Sequence, residues 1–489
     1  MKDRNARCFR LFTAVIVSMI IGGCAAVGPN YVQPDFESPE AWRGLQNGLS
    51  GQPADPMSLA QWWTTLNDPV LSGLMERVVQ GNLDLKDAQA RVREARARRG
   101  INMASQFPTL DSSAAVSRSR GSENTGSGKE NSFYSAGFDA GWEVDVFGGV
   151  RRSIEAADAD LAAEEEDLRD VMVSLLAETA LNYVEARSYQ ARLKVTQANI
   201  AAQEETFTLT RSRFEAGLSD ELAVQQARYN LESTRSQAPT LRTGLEAAKN
   251  RLAVLSGQSP GSLHAELETP APIPVPPPAV AVGVPADTLR NRPDVRRAER
   301  MLAAQTARIG VATADLYPKF RLTGSIGLES LSSGDWLEWA SHAWRIGPGV
   351  SWNVFDAGAV RRNIEVQSAL QEQAFIRYEA SILGALAEVE NTLTAYAEEQ
   401  IRRETLILAT DAARKAALLA HDQYQAGLID FSNVLIAQRS QLSFEDELAR
   451  SDGAVTSNLI RLYKALGGGW TPLKPDNVPA VSIQKLKKQ

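Results

Sequence analysis

The chain has 489 residues, 44% of them hydrophobic, a formal net charge of −7 and two cysteines. An acidic balance argues against nucleic acid as a partner. No internal run of about 20 apolar residues marks a spanning helix, so any membrane crossing must use strands.

The N-terminus reads as a targeting segment, 1–23. Lys2, Arg4, Arg7 and Arg10 make a basic start, an apolar core follows from Leu11 to Ile21, and small residues lead to Cys24. Ile21-Gly22-Gly23-Cys24 resembles a bacterial lipobox, which implies lipidation of Cys24 as the mature N-terminal residue. Ala25 follows it, and by resemblance to bacterial lipoproteins the outer membrane is the expected site. Loss of 1–23 removes Cys8 and leaves 48 Lys and Arg against 58 Asp and Glu. Cys24 is then the single cysteine, so no intrachain disulfide forms and no metal-type Cys spacing exists. Residues 24–66, rich in Gly, Pro, Asn and Ser, read as a tether with Trp42, Trp62 and Trp63 packing on the protein's own helices.

From there the chain is a duplication at an offset of 210. Asp84 matches Asp294, Gly100 matches Gly310, and Phe107-Pro108 matches Tyr317-Pro318. Trp142, Gly148, Arg151, Arg152 and Ile154 match Trp352, Gly358, Arg361, Arg362 and Ile364. Ala216-Gly217-Leu218 matches Ala426-Gly427-Leu428, and Arg251-Leu252 matches Arg461-Leu462. One register kept through two changes of hydrophobic period marks a repeated unit. The repeats are expected at 67–257 and 286–467, joined by a Pro-rich linker at 258–285 and followed by a tail at 468–489.

Each repeat opens with helix. Asp68-Pro69 looks like an N-cap and first turn, and Gly81-Asn82 interrupts the run. A β-hairpin is expected at 107–147 and again at 317–356. Leu110, Ala114 and Val116 oppose Asp111, Ser113 and Ser117. Tyr134, Ala136, Phe138, Ala140, Trp142 and Val144 oppose Ser135, Gly137, Asp139, Gly141 and Glu143. The second repeat alternates likewise through Phe320, Leu322, Ile326 and Leu328, then Trp344, Ile346, Val350 and Trp352. These strands have the length of membrane-spanning strands, roughly 9–11 residues. Four cannot close a barrel, and lipid forbids an open edge. Spanning strands must therefore be pooled among chains, and three chains would supply twelve.

Proline-free helical stretches are expected at 150–216 and 360–426, each about 100 Å long at 1.5 Å per residue. Met172, Leu176, Thr179, Tyr183 and Ala186 keep coiled-coil spacing, as do Ile382, Leu386, Val389, Leu393 and Tyr396. The acidic run Glu164-Glu165-Glu166-Asp167 reads as a solvated helix face. A Gly-Leu turn ends each long helix, and return helices are expected at 220–255 and 430–466.

Gln61-Trp62-Trp63, Asn67-Asp68-Pro69, Asn291-Arg292-Pro293-Asp294-Val295, Phe355-Asp356-Ala357-Gly358 and Tyr424-Gln425-Ala426-Gly427-Leu428-Ile429-Asp430-Phe431 together resemble the TolC-like outer-membrane efflux channels. The NodT-type lipoproteins among them are most similar. The resemblance covers nearly the whole mature chain. It implies a mixed α and transmembrane-β fold: a homotrimer with a 12-stranded β-barrel, four strands per chain, above a long α-helical coiled-coil barrel. It also implies docking through the tips, at Gly217, Leu218, Gly427 and Leu428, to a periplasmic adaptor that serves an inner-membrane efflux transporter. A periplasmic gate is expected around Tyr424, Asp430, Val434 and Ile436. Family members often carry Asp where this chain has Ile436, and Ser432 and Asn433 replace residues more often Leu and Thr. A charge-ring gate is therefore not expected; closure should lean on apolar contact, and Asp430 should cap the return helix.

The function so implied is passive conduction of small molecules out of the cell. A protein-secretion conduit is the alternative within the channel class, and a pore-less envelope scaffold the alternative outside it; a scaffold would not need the four strands. No enzyme is expected: His264, His342 and His421 lie in no metal or nucleophile motif, and no cofactor is implied.

Overall fold

The computed structural model describes residues 26–36, 39–44, 49–50, 59–276, 280–283 and 285–470. Cys24, the targeting segment and most of the C-terminal tail lie outside the described residues. The elements are α1 (Pro69–Gly81), α2 (Leu83–Ala104), β1 (Thr109–Arg120), β2 (Glu130–Val144), α3 (Gly149–Glu215), α4 (Glu221–Leu255), α5 (Pro285–Asn291), α6 (Pro293–Ala314), β3 (Lys319–Ser330), β4 (His342–Ser351), α7 (Ala359–Gln425) and α8 (Phe431–Ala465). The fold is mixed: long helices with a small antiparallel sheet. The described residues form two compact units, one drawn from within 1–35, 90–165 and 297–380, the other from within 36–89, 166–296 and 381–489. Both draw on both sequence repeats.

The first unit holds the sheet, ordered β1-β2-β3-β4 and antiparallel throughout. Its register carries the alternation across all four strands. Phe138 lies opposite Ile326, which lies opposite Trp344; Trp142 lies opposite Leu322. Leu110, Val116, Phe138, Ile326, Trp344, Ile346 and Val350 are all exposed. An apolar face this extensive does not stay in water. The other face carries Asp111, Asp139, Glu143, Arg321 and Arg345, with Arg321 reaching Glu143 at 3.5 Å. At the foot of the sheet the indole of Trp142 donates to the carbonyl of Gln106 at 2.9 Å, and that of Trp352 to the carbonyl of Leu316 at 3.1 Å. Both partners are related by the same offset of 210.

The second unit is helical. Its seam includes the expected positions: Met172, Leu176, Thr179, Tyr183 and Ala186 are buried, as are Ile382, Val389, Leu393 and Tyr396, with Leu386 half-buried. Further along α3 the buried positions turn polar: Thr196, Asn199, Gln203, Thr206 and Thr210. Two of them are met from α8: Gln438 donates to the Thr206 hydroxyl at 2.8 Å, and Asn199 donates to the buried Glu445 carboxylate at 2.7 Å. Glu445 is also held by Arg414 at 2.6 Å. Trp62 is fully buried, stacked on Tyr463 at 5.5 Å.

Asp68 caps α1 by accepting from the amides of Val70 and Leu71. The break after α1 is a fastening point used twice. Asn82 donates to the carbonyl of Leu255 at 2.9 Å and accepts from the amide of Leu85 at 2.9 Å. Its repeat mate Arg292 donates to the carbonyl of Ala465 at 2.7 Å, the repeat mate of Leu255. Arg292 also forms a fork with Asp294 at 3.0 and 2.8 Å and pairs with Glu388 at 2.7 Å. The Asn291–Val295 motif is thus a charged version of the helix clasp formed by Asn82.

The acidic run departs from the expectation of a solvated face. Glu164 pairs with Arg91 at 3.6 Å and Glu165 with Arg96 at 3.7 Å. Glu166 is buried, held by Arg169 and, at 2.7 Å, by Arg296. Composition in one dimension could not show that arginines of α2 and α6 would face it. Among the described residues no helix is long and apolar enough to cross a membrane.

Candidate functional site: the hairpin tips

Each long helix ends in the same backbone motif. At the first tip the amide of Leu218 bonds to the carbonyl of Arg213 at 2.8 Å, and that of Gly217 to Phe214 at 2.9 Å. At the second, Leu428 bonds to Gln423 at 2.8 Å and Gly427 to Tyr424 at 2.9 Å. This is a Schellman closure, in which the residue after the helix must enter the left-handed region. Gly217 has φ +71 and Gly427 φ +77, where a Cβ would be strained. The next side chains, Leu218 and Leu428, are 68% and 74% exposed. The four residues expected at the tips therefore sit where the chain reverses, with both leucines presented to solvent.

The return helices start differently. The Asp220 carboxylate accepts from the amide of Ala223 at 2.9 Å and caps α4. Asp430 occupies the same position before α8, but its side chain makes no cap bond and is exposed. The capping role expected for Asp430 is not what the structure contains.

The residues expected at the gate divide in two. Tyr424 and Val434 are buried, with Ala223, Ala227, Phe431 and Leu435, in a core shared by the two hairpins of the chain. Tyr424 meets Phe431 edge-on at 5.5 Å. Ile436 and Asp430 point outward, Ile436 being 64% exposed. The Tyr424 hydroxyl is buried and has no hydrogen-bond partner among the described residues.

Sequence reasoning missed Arg213. Its guanidinium donates to the carbonyls of Tyr424 at 2.9 Å and Gln425 at 3.1 Å, the last residues of α7, and lies 4.8 Å from the Tyr424 ring centre. A cation there meets the negative end of the helix dipole and the face of an aromatic ring. One arginine thereby fastens the first hairpin to the second. The signal was available: its repeat mate is Gln423, so Arg213 breaks the repeat at the tip. Among the described residues no group of three or more His, Cys, Asp and Glu side chains is disposed to hold a metal.

Comparison with known proteins gives a consistent result. The family described as "Outer membrane efflux protein" matches residues 74–258 and 284–468. Nodulation protein T of Rhizobium leguminosarum bv. trifolii is 31% identical over 474 residues, covering 95% of this chain and 98% of the relative. Toluene efflux pump outer membrane protein TtgI of Pseudomonas putida is 31% identical over 470 residues, covering 93% and 97%. Among solved structures, the outer-membrane channel OprN superposes with a TM-score of 0.86 at 36% identity, over 92% of this chain and all of that one.

Proposed function

Because the chain belongs to the outer membrane efflux protein family, we propose that it is the outer-membrane channel subunit of a tripartite efflux pump. Three copies close one 12-stranded barrel in the outer membrane, and the helices of each chain continue it into the periplasm as a coiled-coil barrel. The channel conducts passively. Its cargo is small molecules such as the toluene named for one relative, delivered by an inner-membrane transporter through a periplasmic adaptor that docks at Leu218 and Leu428. Cys24 carries the acyl anchor. At the periplasmic mouth Ile436 and Asp430 face the lumen, while Tyr424 and Val434 act from behind by packing.

The observation that carries this reading is the sheet: four strands, one face apolar and exposed, with β1 and β4 as terminal strands. In lipid a strand edge must be paired, because no water is present to satisfy its amides and carbonyls. Only further copies of the chain offer matching edges in a closed, symmetric assembly. Mass measurement of the purified protein in detergent should give three chains. A stable, folded monomer would overturn the channel. Cys24→Ser should abolish labelling by a fatty-acid analogue, and unchanged labelling would overturn the anchor alone.

A further inference from the structure

A buried arginine holds the first described residues of the chain against the junction of sheet and helix. Arg152 sits in the first turn of α3 and is 3% exposed. Its Nε donates to the carbonyl of Val27 at 3.0 Å. Its Nη2 donates to the carbonyl of Gly28 at 3.2 Å, to the Asn30 side-chain oxygen at 2.7 Å and to the carbonyl of Ala26 at 3.5 Å. Nη1 is held by Glu155 at 2.7 Å. The amide of Val27 closes the loop by donating to the carbonyl of Phe147 at 3.0 Å. A little further on, the Tyr31 hydroxyl donates to Glu299 at 3.0 Å.

The cradle is cut to backbone dimensions. A Cβ on Gly148 would lie 2.5 Å from the Ala26 backbone, one on Gly28 2.5 Å from the Gly310 backbone, and one on Gly310 2.7 Å from the Arg152 side chain. The second repeat supplies an internal control. Arg362, the mate of Arg152, is 79% exposed and bonds Glu365. Gly358 and Gly100, the mates of Gly148 and Gly310, have nothing within 4 Å of an added Cβ. The same residues are therefore present twice and are used for this contact once. A strand-to-helix junction does not need the clamp, so a separate role accounts for it.

We infer that Arg152 is the positioning residue for the lipid-anchored N-terminus: it fixes residues 26–30 to the strand-to-helix junction beneath the apolar sheet. Cys24 stands two residues before Ala26. The clamp ties the point where the acyl anchor leaves the folded protein to the strand-to-helix junction at Phe147. Anchor and strands are thus presented to one leaflet in a fixed register. The charge and four oxygen acceptors suit the task, because a guanidinium holds several carbonyls at once with its rigid fork. The inference rests on acylation of Cys24.

The test places a spin label at Val32→Cys, a position just past the clamp that is 79% exposed, in the full-length channel purified in detergent. With Arg152 intact the label should show restricted motion. Arg152→Gln should shift the spectrum to a mobile form, Asn30→Ala should shift it partway, and Arg362→Gln should leave it unchanged. Asn30 is exposed, so its variant folds even where Arg152→Gln does not. No shift in the Asn30 and Arg152 variants, or an equal shift in Arg362→Gln, would overturn the clamp. The parent protein without Val32→Cys separates the two ideas. An acylated Cys24 takes up no label, whereas uptake by the parent would remove the anchor reading and leave the clamp to be judged by the Val32 spectra.

Discussion

Replacing Arg292 by alanine removes four bonds at once: the fork to Asp294, the bond to the Ala465 carbonyl and the pair with Glu388. Removing one member of a buried charge pair costs about 3–5 kcal/mol, because the other charge is left behind. Here the arginine side chain is 10% exposed, but Asp294 and Glu388 are 31% and 39% exposed. Water can partly reclaim them, which lowers the expected loss to about 2–3 kcal/mol. Asn82→Ala at the matching site removes neutral bonds and should cost about 1 kcal/mol. Lysine at 292 should recover little, since it cannot form the fork. The pH dependence has a definite sign. Burial pushes the Asp294 carboxyl up, but hydrogen bonding and charge from Arg292 more than offset this and hold it below the usual carboxylate range. A carboxyl lowered in the folded state adds stability above its unfolded value of about 3.9, and that stability is lost as pH falls through the lower folded value. The gap between the parent and Arg292→Ala should therefore be constant near neutrality and narrow only below about pH 4. Thermal unfolding of the purified protein at a series of pH values measures all of this. Equal stability of Arg292→Ala and parent, or a loss no greater than that of Asn82→Ala, would refute the reasoning.

The caps at the two tips should behave differently. Asp220→Ala should destabilise the start of α4 by about 1 kcal/mol and speed amide exchange at 221–224, whereas Asp430→Ala should leave exchange at the start of α8 unchanged. Ile436→Asp would place three carboxylates near one another in a closed trimer. Like charges disfavour one another's ionisation, so that variant should open more readily at low ionic strength, gain sensitivity to divalent cations, and lose the effect as pH falls and the carboxyls protonate. The unmodified channel should respond little to divalent cations, because an apolar constriction excludes water rather than binding ions. Planar-bilayer recordings of both proteins decide it: strong divalent block of the parent at the periplasmic side, or no change on Ile436→Asp, would place the gate elsewhere.

Much of this fold is written in local periodicity. The strands were legible because alternation is a property of neighbouring residues, and the helices because their spacing persists over many turns. The tips were legible because only glycine tolerates the backbone that a Schellman closure needs. What stayed hidden depends on residues far apart in sequence. Glu166 reads as a surface acid until Arg296, from the other repeat, is placed on it. Tyr424 and Val434 read as gate residues until the first hairpin is packed over them, so that they support the tip from inside. The polar pairs of Asn199 and Thr206 were hidden for the same reason: Gln438 lies 232 residues from Thr206, and Glu445 lies 246 residues from Asn199.

The duplication separates two kinds of contact. Among the described residues, the long-range contacts named above that the repeats share end on backbone: Trp142 and Trp352 on the carbonyls of Gln106 and Leu316, and Asn82 and Arg292 on those of Leu255 and Ala465; both tips close through amides and carbonyls, and the shared side-chain pair, Arg152 with Glu155 and Arg362 with Glu365, is local to one helical turn. A backbone acceptor survives any change of its own side chain, so a duplicated donor keeps its partner while the sequences drift apart. The contacts that differ between repeats need a residue supplied once per chain. Arg152 needs the N-terminal segment, and Arg213 needs the aromatic face of Tyr424; the repeat mates of that second pair are Gln423 and Phe214. On the proposed trimer the shared contacts would recur six times and the unshared ones three times. A substitution at Trp142 and Trp352 together should therefore weaken the whole assembly, while Arg152→Gln and Arg213→Gln should leave it assembled and alter, respectively, the hold on the N-terminus and the closure of the tip.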